Sequence, residues 1–140
     1  MKRHAASLVA VLALLVGCGG GDGNDPEPIP PSQSATELKI SASPDGRSGD
    51  QSDWTLRCSP TGGSLPDPEE ACRQLERLDR PFVRPANAIC TEIYGGPAVA
   101  DVRGTFEGRE VKATFSRTDG CEIARWDRHA FLFPVALDAQ

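Results

Sequence analysis

The chain has 140 residues, with 15 Lys and Arg against 20 Asp and Glu, so its formal net charge is −5 at pH 7. This acidity argues against a nucleic-acid partner and against a polybasic patch that would bind an anionic membrane surface. Five cysteines in a chain of this length favour a small domain that gains stability from disulfides.

The first 17 residues have the pattern of a secretory signal peptide. The basic start MKRH is followed by about a dozen apolar or small residues, whereas a membrane-spanning helix needs roughly twenty. The sequence therefore predicts an exported protein.

The junction LVGC, Leu15–Cys18, resembles a bacterial lipobox, in which the cysteine is acylated and becomes the first residue of the mature protein. The resemblance implies a lipid on Cys18 that anchors an extracellular protein to the cell membrane, since two or more acyl chains anchor stably. The alternative is ordinary signal cleavage, which leaves Cys18 as a free thiol.

Residues 18–36 are rich in Gly, Pro and acidic side chains and contain one large aliphatic residue, Ile29. Such a composition buries too little apolar surface to fold. We predict a disordered linker here and a single domain over residues 37–140.

The domain opens with two predicted strands and a helix. Apolar residues alternate in ELKISAS, residues 37–43, and in DWTLRCS, residues 53–59, as in strands with one buried side. The segment between them and the turn-rich PTGGSLP are predicted loops. Asp67 then fits an N-cap, Pro68 the first helical position and Glu70 a capping box, which predicts a helix of about three turns.

A hairpin, a second helix and a last strand complete the prediction. Residues 99–117 alternate about a tight turn at Glu107 and Gly108. Asp119 and Glu122 have the spacing of another capping box, and HAFLFPV, residues 129–135, reads as a closing strand. The predicted fold class is α+β, a five-stranded antiparallel sheet with two short helices.

Four cysteines lie within the domain: Cys58, Cys72, Cys90 and Cys121. Because no CxxC pair occurs, a zinc site is disfavoured, and nothing in the sequence indicates a metal or another cofactor. Four cysteines in an exported chain favour two disulfides, and spacing alone leaves three pairings open.

At this point the domain resembles the subtilisin inhibitor-like family of secreted bacterial serine protease inhibitors. The resemblance is carried by LRCSPTGG before a cysteine-bearing helix, by ICTEIYGGP, and by the hairpin VRGTFEGREV that leads to Cys121. It implies disulfides between Cys58 and Cys72 and between Cys90 and Cys121. It also implies a serine endopeptidase as partner, either subtilisin-like or glutamyl-specific, and a homodimer.

The resemblance assigns ICTEIYGGP as a reactive loop that a protease binds as a substrate. The residue two after the cysteine, Glu92, enters the primary specificity pocket, so the scissile bond is Glu92–Ile93. The other implied loop residues are Cys90, Thr91, Tyr94 and Pro97. Family members commonly carry Met or Lys in place of Glu92, and Gly95 and Gly96 make the loop one residue longer and add backbone freedom.

Two other classes of protein are alternatives to an inhibitor. Glu92 as a solvated carboxylate would fit a non-inhibitory envelope lipoprotein that uses the scaffold for protein interaction. An enzyme is disfavoured because His129 is the one histidine beyond the signal peptide, and a structural or surface role is expected for it. Arg80, Arg84 and the charges of RWDR, residues 125–128, read as solvated surface.

Overall fold

The structure is a computed structural model that describes residues 35–134. The predicted signal peptide, Cys18, nearly all of the predicted linker and residues 135–140 lie outside the described residues. Five strands are present: β1 (Glu37–Ser43), β2 (Ser52–Cys58), β3 (Thr61–Gly63), β4 (Val99–Phe106) and β5 (Arg109–Ser116). Two α-helices, α1 (Pro68–Arg77) and α2 (Gly120–His129), and a 3₁₀ turn (Ala130–Leu132) accompany them.

The strands form one antiparallel sheet in the order β3-β2-β1-β4-β5. The inward residues of neighbouring strands face each other, as in the row Trp54, Ile40, Val102 and Ala113. Helix α1 packs against β2 and β3, and α2 packs against β5. The predicted alternation is therefore confirmed, and it places the core between one face of the sheet and both helices.

The turn between β4 and β5 is the predicted two-residue turn. Phe106 pairs with Arg109, and both intervening residues have positive φ, 49° at Glu107 and 77° at Gly108. These angles belong to the turn type whose backbone twist matches the right-handed twist of the two flanking strands.

Both helices begin where the sequence predicts. The Asp67 carboxylate accepts from the Glu70 amide at 3.2 Å, and the Asp119 carboxylate accepts from the amides of Cys121 and Glu122 at 2.9 and 3.0 Å. The carboxylates of Glu70 and Glu122 bind arginines instead of completing the capping boxes. Within residues 35–134, neither helix is long and apolar enough to cross a bilayer.

The fifth strand is not where the sequence predicts it. His129 of the expected closing strand ends α2, Ala130–Leu132 form the 3₁₀ turn and Phe133 follows that turn, while β3 is the fifth strand of the sheet. Glu122, Trp126 and His129 continue a helical spacing of buried side chains into this segment, so the alternation of Phe131 and Phe133 is incidental. Trp126 is buried, and Trp54 packs partly buried against the core.

Two disulfides join the helices to the rest of the domain. Cys58 at the end of β2 is bonded to Cys72 in α1, and Cys90 is bonded to Cys121 in the first turn of α2. These are the pairs that the family resemblance implies.

Candidate functional site

The long connection from α1 to β4 carries the most exposed apolar side chains of the described residues. Ile89 is 100% exposed, Tyr94 64%, Ile93 61% and Val83 56%. We call residues 79–89 the stem and residues 90–97 the loop. Glu92 is also exposed, and exposed apolar side chains beside a charge on one extended segment are typical of a binding surface.

The loop is fixed just before Glu92. The disulfide ties Cys90 to α2, and the carbonyl of Thr91 accepts from the Gly120 amide at 2.9 Å. Gly120 is suited to this approach, because a Cβ there would lie 2.1 Å from Oγ1 of Thr91.

The loop is fixed again just after Tyr94. The Gly95 amide donates to the carbonyl of Arg117 at 2.7 Å, and Nε of Arg117 donates to the carbonyl of Gly95 at 2.9 Å. Arg117 is held in turn by Asp127 of α2 at 3.1 Å. A Cβ at Gly95 would come within 2.9 Å of the Ile123 side chain, so this glycine permits close packing.

The expectation that both glycines loosen the loop is therefore wrong for Gly95. Its two backbone polar groups are bonded to one arginine, which restricts its motion. Gly96 has φ of 114°, a region that favours glycine, and a Cβ there would meet nothing within 4 Å.

The stem is attached to the body by apolar and ionic contacts. Pro81 is buried, and the ring of Phe82 contacts those of Phe106 and His129 at centroid distances of 5.5 and 6.0 Å. Nε of Arg84 lies 2.9 Å from the carboxylate of Glu122, whose side chain is only 8% exposed.

The expectation of a solvated surface at residues 125–128 fails at Arg125. Its side chain is 10% exposed, donates to the carbonyl of Thr114 at 2.6 Å and lies 4.0 Å from the centroid of the Phe115 ring. Burial lowers the pKa of the Arg125 guanidinium, and Glu122 opposes that shift.

His129 is almost fully buried, at 1% exposure, and its Nδ1 lies 2.8 Å from the carbonyl of Arg125. Burial lowers the pKa of this imidazole below its usual value. The structure therefore gives His129 a structural position in the core, at the end of α2 and not at a strand edge.

Several residues of the site were not found by sequence reasoning, because their roles arise from contacts between segments far apart in the chain. They are Arg84, Arg117, Gly120, Glu122 and Asp127. The spacing of Arg117 and Asp127 along the chain does not by itself indicate that the two side chains form an ion pair. The cluster of Cys90, Asp119 and Cys121 offers no thiolate to a metal, because both sulfurs belong to the disulfide.

The structure therefore defines a disulfide-bonded α+β domain that holds one exposed segment at both ends. The model of the family described as subtilisin inhibitor-like matches residues 32–118. The chain belongs to this family.

Three similar proteins, whose names describe inhibitors, support membership of this family. The chain is 31% identical to Subtilisin inhibitor-like protein 1 of Streptomyces cacaoi over 86 residues, 56% of this chain and 76% of that protein. It is 34% identical to Protease inhibitor SIL-V2 of Streptomyces orinoci over 92 residues, 62% of this chain and 82% of that protein. Subtilisin inhibitor-like protein 5 of Streptomyces fradiae is 39% identical over 70 residues, 47% of this chain and 63% of that protein. These names describe inhibitors, and the chain is accordingly not an enzyme.

Proposed function

We propose that this protein inhibits a serine endopeptidase by presenting the loop as a substrate, with Glu92–Ile93 as the scissile bond. Family membership and the name of the Streptomyces orinoci relative support protease inhibition as the general activity. The choice of a serine protease and of this bond is what the family resemblance implies, and the anchoring of the loop supports it.

One observation carries the proposal: the exposed segment Glu92–Tyr94 lies between two backbone anchors. Thr91 is bonded to Gly120 on one side, and Gly95 is bonded to Arg117 on the other. A protease that binds this segment orders little that is not ordered already, so less of the contact free energy is lost to chain entropy.

The same anchors explain how a substrate-like segment inhibits. A catalytic serine attacks the carbonyl carbon of Glu92, and the nitrogen of Ile93 leaves as an amine. The disulfide and Thr91 hold the acyl side, while Gly95 holds the amine side. The amine stays beside the ester and re-forms the peptide bond in competition with hydrolysis, because proximity favours the intramolecular reaction.

Glu92 supports a glutamyl-specific protease over a subtilisin-like one with an apolar pocket. An apolar pocket must desolvate the carboxylate without a partner, which costs several kcal/mol. A pocket with cationic or hydrogen-bonding groups gives the charged side chain partners on binding.

The test is incubation of the protein with a panel of serine proteases at neutral pH, followed by analysis of the chain. We expect an inhibition constant in roughly the nanomolar range for at least one protease, and a nicked product whose new N-terminus is Ile93. Absence of inhibition at micromolar protein would favour the non-inhibitory envelope lipoprotein. Cleavage at another bond would reject Glu92–Ile93.

A further inference from the structure

A buried carboxylate joins the stem to the body of the domain. One oxygen of Glu122 lies 2.9 Å from Nε of Arg84, and the other lies 3.3 Å from a terminal nitrogen of Arg125. Side-chain exposure is 8% for Glu122, 10% for Arg125 and 67% for Arg84. Glu122 is therefore a fixed acceptor inside the domain, and Arg84 reaches it from the surface.

Arg125 fixes the position of Glu122 from the other side. It donates to the carbonyl of Thr114 on β5 at 2.6 Å and stacks over the Phe115 ring. A contact chain thus runs from the stem through α2 to the sheet.

Arg84 occupies a special position along the stem. In the described part of the chain, the residues from 85 to 89 make no backbone–backbone hydrogen bond to the body of the domain. The next covalent attachment after Arg84 is the disulfide of Cys90. Cys90 and Arg84 are attached to consecutive residues of α2, Cys121 and Glu122. The ion pair and the disulfide therefore enclose a segment that has no backbone–backbone hydrogen bond to the body and that leads directly to Thr91.

We propose that Glu122 is a positioning residue for the loop: through Arg84 it fixes the stem so that the peptide before the Glu92–Ile93 bond keeps its protease-binding shape. This inference rests on the proposed function, and it adds a residue to which neither the family resemblance nor the loop sequence points. Glu122 acts through Arg84 and makes no contact with the protease itself.

Arg84 provides the sharper variant, because Glu122 keeps Arg125 as a partner when Arg84 is replaced. Because Arg84 is largely exposed and Glu122 keeps its ion pair with Arg125, loss of the Arg84 ion pair should change global stability little. Arg84→Met should therefore leave the melting temperature nearly unchanged while it releases the stem. Arg80→Met is the matched control, because it removes the same charge from the same stem at an exposed arginine whose ion pair, at 3.7 Å, is to its neighbour Asp79.

Two readouts are measured on the full chain. The first is the inhibition constant, which should weaken about tenfold or more in Arg84→Met, and by less than about threefold in Arg80→Met. The second is hydrogen exchange at the Gly120 amide, which donates to Thr91. Exchange there should accelerate in Arg84→Met alone, because release of the stem breaks this bond more often.

Glu122→Gln tests the same link from the other end. Its effect in an Arg84→Met background should be smaller than in the wild type for both readouts, because the part that passes through Arg84 is already lost there, while the contact with Arg125 is lost in both backgrounds. Equal effects of Arg84→Met and Arg80→Met on the inhibition constant and on Gly120 exchange would overturn the inference. Full additivity of Arg84→Met and Glu122→Gln would overturn it as well. If the wild type inhibits no protease, the proposed function fails, and Gly120 exchange alone still decides whether Glu122 positions the loop.

Discussion

At the scale of single residues, the proposed function assigns the choice of protease to Glu92. It is exposed between two anchored positions, so its side chain is free to enter a specificity pocket. A pocket built for glutamate leaves its polar groups unpaired when it receives an apolar side chain, and such mismatches discriminate strongly.

We predict that Glu92→Met weakens inhibition of a glutamyl-specific protease and strengthens inhibition of a subtilisin-like one. Each inhibition constant should change by at least tenfold, about 1.4 kcal/mol. Glu76→Met, at an exposed position on α1, controls for the loss of one negative charge. If Glu92→Met behaves as Glu76→Met does, Glu92 is not the specificity residue.

His129 is the second residue whose chemistry yields a measurable effect. Its pKa is lowered chiefly by burial, with further lowering by Arg125 and Arg128 and opposition from the carbonyls of Arg125 and Pro81. Its ring lies among those of Phe82, Phe115 and Phe131, which give no charged partner to an imidazolium.

The sign of the pH dependence follows from this lowered pKa. Below the unfolded-state pKa of about 6.5, the unfolded chain binds a proton that the folded chain binds less readily. The stabilisation is therefore complete above about pH 6.5 and is lost as the pH falls toward the folded-state pKa, by at most about 1.4 kcal/mol per pH unit.

We expect the urea midpoint of the wild type to fall between pH 7.5 and 5.5, a range above the titration of ordinary carboxylates. His129→Phe should flatten this dependence, since the only other histidine, His4, precedes the domain. Parallel pH profiles for the two proteins would contradict the prediction. A lower but flat profile for His129→Phe would still support it, because lost packing lowers stability equally at every pH.

At the scale of elements, the junction of β5 and α2 is the platform that supports the loop. Arg117 and Gly120 supply the two backbone anchors, and α2 adds Cys121 and Asp127. Gly120 is the first residue of α2, where alanine alone would favour the helix by up to about 1 kcal/mol over glycine. The close approach of Thr91 to Gly120 instead favours glycine at this position.

We predict that Gly120→Ala weakens inhibition several-fold although it suits the helix. The new Cβ would lie 2.1 Å from Oγ1 of Thr91, and the β-branched side chain has few alternative rotamers, so the loop must move. Thr91→Ala removes the clashing oxygen and leaves its Cβ at 3.4 Å. The Gly120→Ala substitution should thus cost inhibition in a Thr91 background and little in a Thr91→Ala background. The same cost in both backgrounds would show that this approach does not position the loop.

Sequence reasoning located the elements whose signals are local. Alternating apolar residues marked β1, β2, β4 and β5, and Asp67 and Asp119 marked the two helix starts. It missed β3 because TGG has no apolar alternation, and this strand forms by pairing with Leu56, Arg57 and Cys58. The anchors of the loop were not predicted either, because they also depend on contacts between distant residues. Arg117 and Gly95 are brought together only by the fold.

At the scale of the whole molecule, the disulfide, the backbone hydrogen bonds and the ion pairs that hold the loop and the stem join residues within 79–129. Within the described residues, the proposed inhibitory site is therefore held by contacts inside the folded domain. The homodimer implied by the family resemblance stays a prediction, and sedimentation equilibrium of the purified protein tests it.

The membrane anchor also stays a prediction, because Cys18 lies outside the described residues. Two or more acyl chains on Cys18 would hold the protein at the membrane, and an extended proline-rich linker of about 3.1 Å per residue would carry the domain tens of ångströms away from it. Cys18→Ser should therefore move the protein from the detergent phase to the aqueous phase in a detergent partition. Ser34→Ala, in the same linker, should not.

The inhibition constant should be the same for Cys18→Ser and wild type, because the site depends on contacts within the domain. A wild type that partitions into the aqueous phase would show instead that the protein is released without a lipid. A changed inhibition constant would show that the anchor or the linker contributes to the site.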